Sequence, residues 1–428
     1  MKKLLRKRKF FHWHSCMNNN DYSVPNAIGV IYNVSGIIVN INRSVEDITN
    51  RMKYPGQGAA SKKMNILHLS TYLHAGAGKI IHDLAIAQKL LGHHVTIAIN
   101  GTEYTGYNSY PEYIENLSGQ GIDVVKTDSM FKRDLPLNLN SAACIHNILA
   151  ERDIDLVHAH AAIPSFVALT ARNGLRRRIP VIQTMHGWGL NKTAEHEAMD
   201  VTILNFIDRV IAVSEHDKKL LREKGVYNDI SVIYNGIFDN PEKNRSTYAQ
   251  YGKDGEIIVG CIGTIGSRKN QRILLEAASH INNDIHFVLI GEDPDGLITG
   301  REKEYGNITY LGRIPDAFRF IPGFDYMILP SRSEGFPLAV IEAFMSSTPV
   351  IASDIPPLME AVEDGATGFV FKSDNLADLI RVLGKAAQAR RSSERSYQDL
   401  RLNCRRAYEE RFTFDKMLFD YQEVYKRI

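Results

Sequence analysis

Cysteine is scarce in these 428 residues: Cys16, Cys144, Cys261 and Cys404 stand far apart, and no C-x-x-C pair occurs. That spacing excludes a disulfide framework and a zinc ribbon, and it suits a reducing compartment. Long apolar runs are missing too, so nothing in the chain reads as a membrane span. The formal net charge is only +2, which leaves no electrostatic footprint for a nucleic-acid partner. The basic start (Lys2, Lys3, Arg6, Lys7, Arg8, Lys9) lacks the apolar segment of a secretory signal. Two common phosphate loops are excluded as well. In Gly76-Ala77-Gly78-Lys79, Leu73 and Ile80 stand where Walker A needs Gly and Ser or Thr, and Ile81 breaks G-x-G-x-x-G. These absences describe a cytoplasmic protein of another kind.

What is present is the composition of a globular chain, with 44% hydrophobic and 23% charged residues. Its length predicts more than one domain. Residues 1–62 form a preface. Phe10, Phe11 and Trp13 follow the basic start, and the segment reads either as a contact with an anionic membrane surface or as a solvated tail. From Met64 onward, apolar strand-like runs alternate with amphipathic segments. The runs are Asn65–Ser70, His94–Ile99, Asp155–Ala159, Pro180–Thr184, Arg209–Val213 and Ser231–Ile233. Between them, Ile80–Leu91 places Ile80, Ile81, Leu84, Ala87, Leu90 and Leu91 at helical spacing. Such alternation predicts a parallel, doubly wound α/β sheet. Asn235-Gly236 and the polar stretch 239–255 break the pattern and predict a domain boundary. A second set of strands then begins at 256, 286, 308, 326, 350 and 369, and Phe414–Tyr425 closes the chain as an amphipathic helix. The expected units are 1–62, a first Rossmann-like domain over 63–238, a second over 239–412, and a last helix over 413–428. Two such halves leave a cleft at the carboxyl ends of their strands.

The most informative stretch is Ser333-Glu-Gly-Phe-Pro-Leu-Ala-Val-Ile-Glu-Ala343, which follows the apolar run Tyr326–Pro330. It reads as strand, turn, helix, with Pro337 as the first helical residue. Free N–H groups at the helix start attract an anion such as a diphosphate. Glu334 in the turn and Glu342 on the helix are acceptors for hydroxyl groups, so the pair suits a sugar and a ribose on either side of a diphosphate. The plain alternative is a surface turn followed by a solvated helix. After the strand Glu256–Ile262, Gly263 and the pair Arg268-Lys269 put cations where a leaving diphosphate could be neutralised. His186-Gly187 follows another strand end, where a histidine serves either a ligand hydroxyl or a buried structural role. His158 and His160 read as strand residues rather than metal ligands.

Taken in order, these pieces resemble the retaining glycosyltransferases of family 4, which have the GT-B fold. The resemblance runs from about Met64 to the end. It rests on the two glutamates of Ser333–Ala343, on Thr348–Ser353 and Val362–Phe369 behind them, and on Gly76–Gly78, His186-Gly187, Val213–Glu215, Tyr234–Gly236 and Lys269-Asn270. It implies a nucleotide-sugar donor held mainly by the second domain, and a glycan or lipid-linked acceptor on the first, as in surface polysaccharide synthesis. Among site residues it implies Arg268 and Lys269 at the diphosphate, Glu334 with Gly335, Phe336 and Leu338 at sugar and phosphates, Glu342 at the ribose and His186 at the transferred sugar. Gly76, Gly78 and Gly263 would let the donor approach. It implies front-face transfer with no metal and no cofactor beyond the nucleotide sugar. Three departures stand out: Thr264 where the family usually has Arg, Ser347 in place of Gly, and Pro337 where Gly is common. A nucleotide-sugar 2-epimerase and a non-catalytic nucleotide-sugar binder are the competing readings. Separately, Asn26–Gly58 faintly resembles the opening of class II glutamine amidotransferases. Asn26 stands there in place of the catalytic Cys, so no amidase chemistry carries over.

Overall fold

The apolar runs become strands because each is covered on both faces, which lets near-continuous Val, Ile and Leu replace an alternating pattern. A computed structural model describes residues 62–104, 107–189, 192–239, 255–281, 284–392 and 394–428. The basic start, the amidotransferase-like stretch 26–58 and residues 240–254 of the expected boundary lie outside them.

The first sheet holds β1 (Asn65–Leu69), β2 (His94–Asn100), β3 (Asp123–Thr127), β4 (Leu156–Ala159), β5 (Val181–Met185), β6 (Arg209–Ala212) and β7 (Ile230–Val232). All pairs are parallel, in the order β3-β2-β1-β4-β5-β6-β7. Its crossovers carry α1 (Ala75–Leu90), α2 (Pro111–Gly119), α3 (Leu135–Glu151), α4 (Ala162–Ala171), α5 (Ala194–Phe206) and α6 (Glu215–Glu223). Strand β3 was not expected. It is an edge strand whose Asp123, Val124, Val125 and Lys126 are not fully buried, so it lacks the apolar run that marks β4 and β5.

The second sheet holds β8 (Ile257–Ile262), β9 (Ile285–Ile290), β10 (Ile308–Tyr310), β11 (Tyr326–Leu329), β12 (Val350–Ser353) and β13 (Gly368–Phe371), again all parallel, in the order β10-β9-β8-β11-β12-β13. Around it lie α7 (Arg272–Ala278), α8 (Leu338–Met345), α9 (Pro356–Met359), α10 (Leu376–Ser392) and α11 (Glu394–Arg411). Each sheet reverses its strand order once, at β1/β4 and at β8/β11, and those switch points are where open parallel sheets take ligands.

The last helix, α12 (Phe414–Lys426), leaves the second domain. Its Phe414, Met417, Leu418, Tyr421 and Tyr425 are buried in one core with Ile66, Leu84, Ile97 and Ile182 of the first. Two chain segments cross side by side where it departs. The Ile237 N–H donates to the Phe412 carbonyl at 3.1 Å, and the Phe414 N–H donates to the Ile237 carbonyl at 2.9 Å. Gly236 is required there, since a Cβ would collide with the Thr413 carbonyl. No helix among the described residues is long and apolar enough to cross a membrane.

Two local expectations need correction. Helix α1 starts at Ala75, five residues ahead of Ile80, so Gly76 and Gly78 belong to its first turn and not to a loop. Pro337 is the cap and not the first helical residue: its ψ of 127° is extended, and α8 begins at Leu338.

Candidate functional site

The loops after β1, β5, β8 and β11 converge on a cleft of about 560 Å³ between the two sheets. Its second-domain wall is built around Glu334. This side chain is only 6% exposed, and Lys269 (Nζ to Oε1, 2.9 Å) and Arg268 (NH1 to Oε2, 3.2 Å) both pair with it. The Ser331 hydroxyl donates a further bond of 2.8 Å to Oε1. Burial alone would push the Glu334 carboxyl up, but Lys269 and Arg268 outweigh it and hold the group below the usual carboxylate range. Lys269 is tucked in at 18% exposure while Arg268 is 53% exposed, so Arg268 is the cation that can swing onto an incoming anion. Thr264 lines the same wall, and its carbonyl accepts from Gln271 Nε2 at 3.1 Å.

Behind Glu334 the start of α8 has no side-chain cap. Pro337 contributes no N–H, and Val340 bonds back to the Pro337 carbonyl at 3.2 Å. The N–H groups of Leu338 and Ala339 are thus the donors that face the cleft with the helix dipole behind them. One turn further, Glu342 is pushed up to about 7 by burial, against the pull of the Lys79 charge and with the push of Asp316. At neutral pH it sits between its acid and its carboxylate.

The first-domain wall brings His186 against this turn. Its loop crosses the Glu334-Gly335 turn backbone to backbone. A Cβ on Gly335 would collide with the His186 carbonyl, and one on Gly187 (φ +126°) would lie 3.0 Å from the Gly335 Cα. These two glycines set how closely the domains approach. Burial lowers His186 to about 4, so it is a neutral ring at physiological pH.

Of the glycines expected to admit a donor, Gly76 and Gly263 line the cleft and Gly78 does not. Gly78 is buried against Leu73, whose backbone a Cβ would strike, so it serves the tight entry of α1 rather than a ligand. Phe336 also lines the cleft, with its ring packed in the second core against Phe412.

Sequence reasoning missed the remainder of the first-domain wall. His74, Tyr110 and Tyr113 line it, as does Lys79, which pairs with Asp83 at 2.8 Å. Arg313 closes the mouth. It reaches Glu112 of the first domain at 2.6 Å and Glu292 of the second at 3.1 Å, and lies over the Tyr110 ring. The signal that could have found this wall was Pro111 after Tyr110, a helix-start mark. Two Asp-x-Asp triplets occur, Asp153-Ile154-Asp155 and Asp293-Pro294-Asp295, and one carboxylate of each holds backbone: Asp155 accepts from the Asn65 N–H, and Asp293 from the N–H groups of Leu297, Ile298 and Thr299.

Comparison with known proteins adds to this geometry. The family model described as Glycosyltransferase Family 4 matches residues 74–239, and that described as Glycosyl transferases group 1 matches residues 256–388. An uncharacterized glycosyltransferase of Methanocaldococcus jannaschii is 30% identical over 259 residues, covering 58% of this chain and 69% of the relative. An O-antigen biosynthesis glycosyltransferase of Escherichia coli is 24% identical over 293 residues, covering 64% of this chain and 79% of the relative. The crystal structure of Anabaena HepE in complex with UDP and glucose superposes with a TM-score of 0.71 at 20% identity, covering 85% of this chain and all (100%) of that one. The two-domain arrangement is the GT-B fold. Both family models begin beyond residues 26–58, so the amidotransferase likeness gains no support from them.

Proposed function

The chain belongs to glycosyltransferase family 4, and from that premise we propose that it moves a hexose from a nucleotide sugar to a glycan or lipid-linked acceptor in surface polysaccharide synthesis, with retention and without a metal or other cofactor. The observation that carries this reading is the Glu334 constellation. An ionised, buried carboxylate is held by Arg268 and Lys269 beside the uncapped start of α8 and lines the same cleft as a neutral imidazole, His186.

Each part has a role in such a transfer. The diphosphate lies on the Leu338 and Ala339 N–H groups, with Arg268 and Lys269 neutralising the charge that grows as the bond to the anomeric carbon breaks. These cations and the helix start supply what a divalent ion would otherwise supply, and Arg268 stands in for the arginine usual at Thr264. Glu334 and His186 take sugar hydroxyls, and Glu342 takes those of the ribose. The electron pair of the breaking bond leaves with the diphosphate. The acceptor oxygen bonds to the same face of the anomeric carbon, and its proton passes to the departing phosphate. Both Glu334 oxygens are already engaged, which favours this route over a protein nucleophile. The protein contributes position and charge. The basic, aromatic start supports peripheral attachment to the inner face of the membrane, testable by sedimentation with anionic vesicles before and after removal of residues 1–62.

The test is calorimetric titration with UDP, GDP and ADP, followed by their hexose derivatives, and then an acceptor assay that scores anomeric configuration. Tight binding of one nucleotide that weakens in Glu342→Ala, followed by retained configuration in the product, is the expected result. Binding without any transfer would install the non-catalytic reading.

A further inference from the structure

Behind His186 a row of buried side chains runs through the first sheet to the last helix. His186 Nε2 meets His160 Nδ1 at 3.1 Å, and His160 Nε2 meets His68 Nδ1 at 3.0 Å. His68 Nε2 meets Gln88 Oε1 at 2.7 Å, and Gln88 Nε2 donates to the Tyr425 hydroxyl at 3.0 Å. The residues come from β1, α1, the end of β4, the end of β5 and α12, so sheet order alone brings them into line. His68, His160 and Gln88 are buried, and burial lowers His68 to about 4 and His160 well below the usual imidazole range.

His68, His158 and His160 hold ring nitrogens within 4.8 Å of one another, the spacing of a metal site. Every one of those nitrogens already has a protein partner, because His158 bonds to Tyr425 at 2.7 Å and to Thr184 at 2.8 Å. The cluster is therefore a completed hydrogen-bond network.

A neutral imidazole has one donor nitrogen and one acceptor nitrogen, so direction passes from ring to ring. The Gln88 oxygen can only accept, so His68 carries its proton on Nε2 and accepts at Nδ1. His160 then donates from Nε2 and accepts at Nδ1, and His186 donates from Nε2. Its Nδ1 is left bare, without a partner among the described residues, in a ring that lines the cleft. Turning the Gln88 amide over would reverse each bond and put a proton on that Nδ1. The amide stands with its N–H on the Tyr425 hydroxyl, the orientation that leaves its oxygen to His68.

We propose that Gln88, His68 and His160 are positioning residues whose relay fixes His186 as the Nε2–H tautomer, so that Nδ1 accepts a hydrogen bond from a hydroxyl of the donor sugar. This rests on the reading of the cleft as a nucleotide-sugar site. It further implies that a donor offering a carboxylate at that point, which can only accept, is disfavoured.

The experiment has a readout independent of any substrate. In the full-length protein labelled with 15N at histidine, long-range 1H–15N correlation distinguishes bare from protonated ring nitrogens, with His186→Gln identifying the signals. A bare Nδ1 and a protonated Nε2 on His186 are expected; a protonated Nδ1 would overturn the proposal. His160→Leu removes the acceptor and should mix the two His186 tautomers. With the hexose donor selected by calorimetry, it should lower kcat/KM by roughly tenfold, the worth of one neutral hydrogen bond, while nucleoside diphosphate affinity stays put. His160→Asn keeps an acceptor where Nδ1 stood and should restore both the tautomer and most of the rate. Equal losses in the Leu and Asn variants would reduce His160 to a packing role and sink the relay. Should no nucleotide bind at all, the function proposed above fails, and the wild-type 15N shifts still decide the relay.

Discussion

Lys269 is the residue whose loss separates charge stabilisation from packing. It is mostly buried and pairs with Glu334, so Lys269→Ala leaves a buried carboxylate short of one partner at the point where diphosphate charge grows. A fall in kcat of about 10²-fold with little change in acceptor KM is expected from steady-state kinetics. An unchanged kcat would remove Lys269 from the diphosphate site. Glu342 makes a prediction about pH. Burial raises it to about 7, so it is protonated below that value and ionised above. Ribose hydroxyls donate more strongly to a carboxylate than to a neutral acid. Nucleotide affinity should therefore rise as pH increases from 6 through 8, and Glu342→Gln should flatten the profile in calorimetry. An affinity that falls over that range would mean that the ribose is not held by an ionised Glu342.

At the scale of elements, the cleft is set by a few backbone approaches. The turn between β11 and α8 touches the loop after β5 with no side chain between them, which is possible only because Gly335 and Gly187 stand there. Gly335→Ala forces the His186 carbonyl away and opens the gap between the walls. Each domain keeps its own core, so the melting temperature should shift little. Transfer should fall by about 10²-fold, the scale of a roughly 1 Å misplacement of reacting groups. Differential scanning calorimetry beside an activity assay checks the pair, and a variant that transfers normally would show that the loops tolerate separation. At the α8 start, neighbouring residues divide the work between them. Pro337 ends the turn without an N–H, and Leu338 and Ala339 supply the donors.

For the whole molecule, stability couples the two domains through α12. Leu418 is fully buried in the first-domain core although it follows the entire second domain in the chain. Leu418→Ala should cost about 2–5 kcal/mol by the loss of buried methyl groups and the cavity left behind. Urea unfolding followed by probes in each domain would show the loss in the first domain, and a loss confined to the second would contradict the packing. The helix also carries Tyr425 into the histidine row, so the same docking that stabilises the first domain holds the Gln88 amide. Across the mouth, Arg313 joins Glu112 to Glu292.

Much of this was legible in the residues alone, for a local reason. Ser333–Ala343 reads as strand, turn and helix because an apolar run, a glycine, a proline and helical spacing lie within a dozen positions, and alternating runs announce two parallel sheets wherever strands are buried on both faces. Arg268, Lys269, Glu334, Glu342 and His186 could be named because each stands just after a strand end or on the helix that follows. The edge strand β3 escaped because it is only partly covered and so carries no apolar run. His158 lies in β4 as expected and His160 just past its end, yet nothing nearby in sequence marks their partners. His68 lies 92 residues from His160, and Gln88 lies 337 residues from Tyr425. Arg313 and Glu112, 201 residues apart, meet for the same reason. The sequence by itself determined the elements, the fold class and the strand-end residues, since these depend on periodicity and turn chemistry over a few residues. Only the tertiary structure decided which strand ends adjoin, how near the two walls come and which nitrogen of His186 is left bare, because strand order and domain packing are settled by burial between segments far apart in the chain.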